Sequence, residues 1–176
     1  MEGWLLDVYP AENNEMVLCI KGEDGKTRLL RDDYTPDFYV YGSPKKLENL
    51  EKELSKSEVV DDWSYERKRV RLRDGEKSKV VKVNCDSMKN LRNFAKRIAR
   101  LGDYRDYELY NVDIPYAQDY LHERGLFPLA KVRLVDLFDL EFELLGSAFA
   151  TDYGLPPLEK VELNVDSASD KPSSGF

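Results

Sequence analysis

The chain opens on two short apolar runs, Trp4–Tyr9 and Met16–Ile20, each of strand length and composition. Gly22-Glu-Asp-Gly25 turns the chain into a third predicted strand, Lys26–Leu30. A fourth follows at Asp37-Phe-Tyr-Val-Tyr41, aromatic and β-branched, between Pro36 and Gly42. The period then changes. Ser43-Pro44 supplies a cap and a first-turn proline, and Leu47, Leu50 and Leu54 recur at i, i+3 and i+7, one face of a helix. Val59–Tyr65 and Lys68–Leu72 read as strands, and Asp74-Gly75 as the hairpin turn into Lys79–Val83. Asp86 or Ser87 caps a second helix with a buried stripe of Met88, Leu91, Ala95 and Ile98. Gly102 ends that helix, and Tyr107–Val112 returns as a strand.

From Asp37 to Val112 this gives the order β-α-β-β-α-β, the split or ferredoxin-like arrangement with an elaborated central hairpin. The predicted class is α+β. An N-terminal hairpin or small sheet is joined to a βαββαβ module of RRM-like topology, and further strands follow. A third helix of about ten residues is predicted between Pro115 and Gly125, a normal start–stop pair. Beyond Pro128, Lys131–Leu145 has the pattern of a hairpin and Gly154–Leu158 that of a rigid connector. Glu159–Val165 reads as one more strand, and Ser167–Phe176 has the composition of a disordered tail.

The 176 residues carry a net charge of −7, but unevenly. Glu66–Arg100 holds thirteen Lys and Arg against four Asp and Glu, a local +9, whereas Leu134–Phe176 holds two against nine, a local −7. A basic middle in an acidic chain suits a surface that faces a polyanion, although a charge run also serves as a solvated face. On the second helix Lys89, Arg92, Lys96, Arg97 and Arg100 lie opposite the apolar stripe. Arg67, Lys68, Arg69, Arg71 and Arg73 precede the Asp74-Gly75 turn. Such groups would contact phosphates in a sequence-independent, salt-sensitive way. Phe38, Tyr39, Tyr41 and Tyr65 are interleaved with them and are either strand filling or rings on which unpaired bases stack.

Cys19 and Cys85 are far apart, form no C-x-x-C, and are expected to be reduced thiols of a cytoplasmic protein. With one histidine, His122, expected to be a surface or packing residue, a zinc site of the usual His/Cys kind cannot be assembled. No apolar run is long enough to span a membrane.

The stretch Tyr110-Asn-Val-Asp-Ile-Pro-Tyr-Ala-Gln-Asp-Tyr-Leu-His-Glu-Arg-Gly-Leu-Phe-Pro-Leu129 is the most specific feature. Its pattern resembles the end of the N-terminal domain of archaeal family-B DNA polymerases. The resemblance implies that residues 1–130 form a template-reading domain, that 131–166 are a connector and first strands toward a proofreading exonuclease, and that 167–176 are a tail. It further implies a pocket that samples single-stranded template for uracil, built from Pro36, Pro115 and Tyr116 by motif and from Tyr9 and Met88 by position. Asp37 stands where the family often has an aromatic residue.

Two partial matches to the exonuclease Asp-x-Glu motif are present. Phe138-Asp139-Leu140-Glu141 has the residue types. Leu155–Asp166 has the lead-in, with Asn164 in the place of the metal-binding Asp and Asp166 in that of Glu. Asp139 and Glu141 also fit the outward face of an alternating strand. The remaining polymerase and exonuclease carboxylates are absent from this sequence, so the chain by itself is expected to be non-catalytic and to need no cofactor. Its expected partners are single-stranded template DNA and the remaining polymerase domains. A stand-alone nucleic-acid-binding module is the alternative. A third possibility is an interaction domain whose acidic stretch around Asp136, Asp139 and Glu141 docks on a replisome subunit.

Overall fold

A computed structural model describes residues 1–137, 140–146 and 154–159. It is an α+β protein with two antiparallel sheets and three helices among the described residues.

The first sheet begins with the meander β1 (Glu2–Pro10), β2 (Glu15–Gly22) and β3 (Thr27–Asp33). A 3-10 turn at Glu12–Asn14 joins the first two strands, and Gly25, at φ +74°, makes the second turn in a region that favours glycine. β8 (Lys131–Asp136) pairs antiparallel with the free edge of β1, Trp4 opposite Lys131, and β9 (Glu141–Leu144) pairs with β8. The strand order is therefore β3-β2-β1-β8-β9. The connector Gly154–Glu159 returns to the same sheet, where the Trp4 indole Nε1 donates to the Gly154 carbonyl at 2.6 Å.

The second sheet carries the β-α-β-β-α-β order expected from the sequence: β4 (Asp37–Gly42), α1 (Pro44–Leu54), β5 (Val60–Lys68), β6 (Ser78–Cys85), α2 (Met88–Leu101) and β7 (Tyr107–Tyr110). Its strand order, β5-β6-β4-β7, is that of a ferredoxin-like sheet. Phe38 and Val40 on β4 and Val81, Val83 and Cys85 on β6 face α1 and α2. They pack there with Leu47, Leu50, Leu54, Leu91, Phe94, Ala95 and Ile98. Phe38 and Phe94 meet edge to face at 6.4 Å.

α3 (Tyr116–Glu123) starts after Pro115 and is followed by Gly125 at φ +63°. Tyr120, Leu126 and Ala130 join Leu5, Val8, Met16, Leu18, Ile20 and Tyr34 in a second core beneath the first sheet. Tyr116 packs against both cores.

The structure corrects three local expectations. There is no strand at Lys68–Leu72 and no tight turn at Asp74-Gly75: β5 is one strand ending at Lys68, and residues 69–77 form a nine-residue loop before β6. Gly75 is not among the residues of positive φ that a two-residue I′ turn needs, and Leu72 is fully exposed. Neither Ser43 nor Ser87 caps its helix with its side chain. Asn14, 74 residues earlier, accepts from the Met88 backbone N–H at 3.0 Å instead. Met88 is only half-buried and packs against the second core, and Phe94 fills the α2 stripe in its place. Of the predicted strand Glu159–Val165, Glu159 is irregular and the rest lies outside the described residues.

Candidate nucleic-acid interface

α2 packs on the second sheet through Leu91, Phe94, Ala95 and Ile98 and so turns its other face outward. Lys89, Arg92, Lys96, Arg97 and Arg100 are all exposed on it. Arg97 lies 3.9 Å from Glu53 on α1, and the Arg100 Nε donates to the Tyr104 hydroxyl. Among the described residues, no acidic side chain pairs with Lys89, Arg92, Lys96 or Arg100. The helix thus offers an open row of cations with little internal compensation. Arg67 and Arg69 are exposed at the end of β5 and the start of the following loop, at the far edge of the same sheet.

The motif residues gather at the seam between the two sheets. The Tyr116 hydroxyl donates to the Met88 carbonyl at 2.5 Å, its ring lies 6.2 Å from Tyr34, and the Arg92 guanidinium stands 5.9 Å from its centroid. Burial pushes the Tyr116 phenol above its ordinary pKa, with Arg92 opposing. Pro36 is buried, and its carbonyl accepts from the Cys85 N–H, three residues before Met88. Asn14 closes the corner by accepting from Met88 N–H while its amide donates to the Asp86 carbonyl. Tyr9 is 41 % exposed at the end of β1. Pro115 is exposed and lines a cavity of about 500 Å3 between β1 and α3, with Asp7, Val8, Gln118, His122 and Phe127 among its walls. Pro36, Met88 and Tyr116 therefore share one corner, whereas Pro115 opens onto a separate, largely apolar cavity.

Below that corner sits a cluster that sequence reasoning did not assemble. Asp37, Asp119 and Glu123 have carboxylate oxygens within 4.8 Å of one another, and Asp37 and Asp119 are buried. The Lys82 ammonium is 2.7 Å from Asp37 and 3.7 Å from Glu123, and the Tyr34 hydroxyl donates to Asp119 at 2.7 Å. Burial pushes the Glu123 carboxyl up to about 7, helped by the charge and hydrogen bond of Asp37. Burial also raises Asp119, partly offset by the bond from Tyr34. Burial disfavours the charge on Lys82, yet the hydrogen bond and charge of Asp37, with Tyr39 and Glu123 adding to them, together outweigh it and hold the ammonium above its ordinary range. The lysine therefore occupies the place a cation would take, and the cluster ties α3 to the second sheet. The available signal was the i, i+4 spacing of Asp119 and Glu123. Nothing local links them to Asp37 or Lys82.

Cys85 is buried, which pushes its thiol up to about 12, and Cys19 is half-buried; both are free thiols. His122 is exposed at the rim of the 500 Å3 cavity. Glu141 is exposed at the start of β9, opposite Asp136. Asp139, Asn164 and Asp166 lie outside the described residues. Among the described residues, no helix is long and apolar enough to cross a membrane.

No family model and no curated protein matches the chain. Among solved structures, the family B DNA polymerase from the hyperthermophilic archaeon Pyrobaculum calidifontis is similar, with a TM-score of 0.62 at 20% identity over 76% of this chain. The likeness is one of fold, a polymerase N-terminal-like arrangement of two sheets and three helices. The chain spans 18% of the length of that polymerase.

Proposed function

We propose that this chain is the template-facing N-terminal domain of a family-B DNA polymerase, that it holds single-stranded DNA, and that it samples the template bases for uracil. The observation that carries the reading is the exposed face of α2, with its five cations and, among the described residues, a single ion pair to an acid, Arg97 with Glu53. Phosphates binding there would release counterions and give affinity without sequence preference. The sampling role rests on the Asp113-Ile-Pro-Tyr116 motif and on the corner shared by Pro36, Met88 and Tyr116. Uracil lacks the methyl of thymine, so a pocket that fits closely against backbone donors and acceptors rejects thymine by contact. Discrimination over one methyl is worth about tenfold or more.

The test is fluorescence anisotropy with two single-stranded oligonucleotides that differ in one base, uracil against thymine. The reading predicts about tenfold tighter binding to the uracil strand and loss of that preference in Tyr116→Ala, at the corner shared with Pro36 and Met88. Equal binding of both strands by the native chain would refute base sampling while leaving the template cradle intact. Absence of binding to either strand would refute both.

A further inference from the structure

The four-stranded sheet has a second face that no helix of its own module covers. Phe38, Val40, Val81 and Val83 point into the core, so strand alternation turns Tyr39 and Tyr41 on β4, Val80 and Lys82 on β6, and Tyr110 on β7 the other way. α3 covers only the end near Asp37 and Lys82, through Glu123 and Asp119. Tyr39 stands opposite Tyr110 in the pairing and opposite Lys82 on the other side, which makes a row of two tyrosines and one cation across three strands.

The loop 69–77 lies across this face. Val70 walls a cavity of about 270 Å3 with Tyr39, Val80 and Tyr110, and a second cavity of about 380 Å3 with Tyr41 and Arg71. From the far side of the sheet Arg71 reaches Glu108 on β7 at 3.4 Å, and both partners are exposed. The Lys68 ammonium is 4.9 Å from the centre of the Tyr39 ring. Residues 67–82 hold eight Lys and Arg against two acids, Asp74 and Glu76, a local +6. Rings that present faces in a row, with cations at their margins, are the chemistry by which sheets bind unpaired bases and the phosphates between them.

We propose that this face, half-covered by the loop 69–77, is a binding site for single-stranded nucleic acid, in which the half-buried Tyr39, Tyr41 and Tyr110 stack bases once the loop moves aside. The loop 69–77 is a strap that gives up the Arg71–Glu108 contact and turns Arg69, Arg71 and Arg73 onto phosphates. The site deepens the template-holding function and rests on it, but it is a different surface. α2 lies on the opposite side of the same sheet, so a short strand on one face cannot touch the other.

The test measures anisotropy of the full chain with a 12-residue oligothymidylate and with oligouridylate of the same length. The variants are Tyr41→Ala, Tyr110→Ala, their phenylalanine counterparts, and the exposed pair Arg69→Ala/Arg71→Ala. Stacking requires the ring and not the hydroxyl. Each alanine variant is therefore expected to weaken binding about tenfold on at least one of the two strands, and the phenylalanine variants to retain affinity. The arginine pair is expected to reduce the slope of log K against log salt by about 1.4. Whether the deoxy or the ribo strand carries the effect identifies the source of the strand. Native affinity for both strands in Tyr41→Ala, Tyr110→Ala and the arginine pair, with loss confined to Lys89→Ala/Lys96→Ala, would overturn the sheet-face site while leaving template holding by α2 standing. Failure of the native chain to bind either strand would overturn both.

Discussion

Replacing Glu123 by glutamine should make the protein more stable at pH 8 and leave it unchanged at pH 5. Glu123 ends α3 beside the buried Asp37 and Asp119, and its carboxyl is raised from 4.5 to about 7, first by burial and then by Asp37. Lys82, 3.7 Å away, opposes the shift. The folded state therefore keeps a proton that the unfolded chain releases between pH 4.5 and about 7. The unfolded state binds fewer protons across that window, so stability falls as pH rises through it and levels off above. The full shift corresponds to about 3 kcal/mol. With 43% of the Glu123 side chain open to solvent, screening reduces this to about 1 kcal/mol. Glutamine is neutral at every pH and its amide can donate to Asp37, so the native penalty disappears where glutamate would ionise. Urea denaturation of both proteins at pH 5, 6, 7 and 8, followed by intrinsic fluorescence, gives the difference directly, because titrations common to both cancel. The expected gain grows from near zero at pH 5 to about 1 kcal/mol at pH 8. A variant less stable than the native protein at pH 8, or a difference independent of pH, would refute the account of a raised Glu123 carboxyl beside Asp37.

Asn14→Ala removes the only side-chain cap on α2 among the described residues and places alanine at φ 59°. It should cost about 2 kcal/mol in denaturant unfolding, about half from the cap and half from the left-handed backbone. Asn14→Gly, which relieves the backbone but not the cap, should recover roughly half of that loss. Phe38→Ala empties a fully buried site against Phe94 and should cost about 3–5 kcal/mol by the same assay. Tyr116→Phe loses only the bond to the Met88 carbonyl and should cost about 1 kcal/mol, with the far-ultraviolet circular dichroism spectrum unchanged.

The helices and the βαββαβ order were legible because their signals are local. Leu47, Leu50 and Leu54 mark one face of α1 by spacing alone, and Pro115 and Gly125 bracket α3. What stayed hidden is long-range or mimics another pattern. Val70 and Leu72 alternate with arginines as strand residues would, yet Lys68 is the last residue paired with β6, and Leu72 is left in solvent. The pairing of β8 with β1 joins residues more than a hundred positions apart and leaves no local trace. Asn14 capping a helix of the other sheet and Asp37 meeting Asp119 and Glu123 are invisible for the same reason. The cation row of α2 could be read because helical periodicity fixes which side faces out once the apolar stripe is known. Pro36 and Tyr116 are singled out by motif resemblance and Met88 by position, whereas the opening of Pro115 onto a different cavity depends on how β1 packs against α3 and has no local signal.

The most direct test of template holding is the salt dependence of single-strand affinity for the native chain and for Lys89→Ala/Lys96→Ala/Arg100→Ala, three exposed changes on α2. The account predicts measurable binding at low salt, and a slope of log K against log salt shallower by about 2 in the variant, near 0.7 for each lost phosphate contact. An identical slope in both proteins, or no binding at low salt, would contradict it.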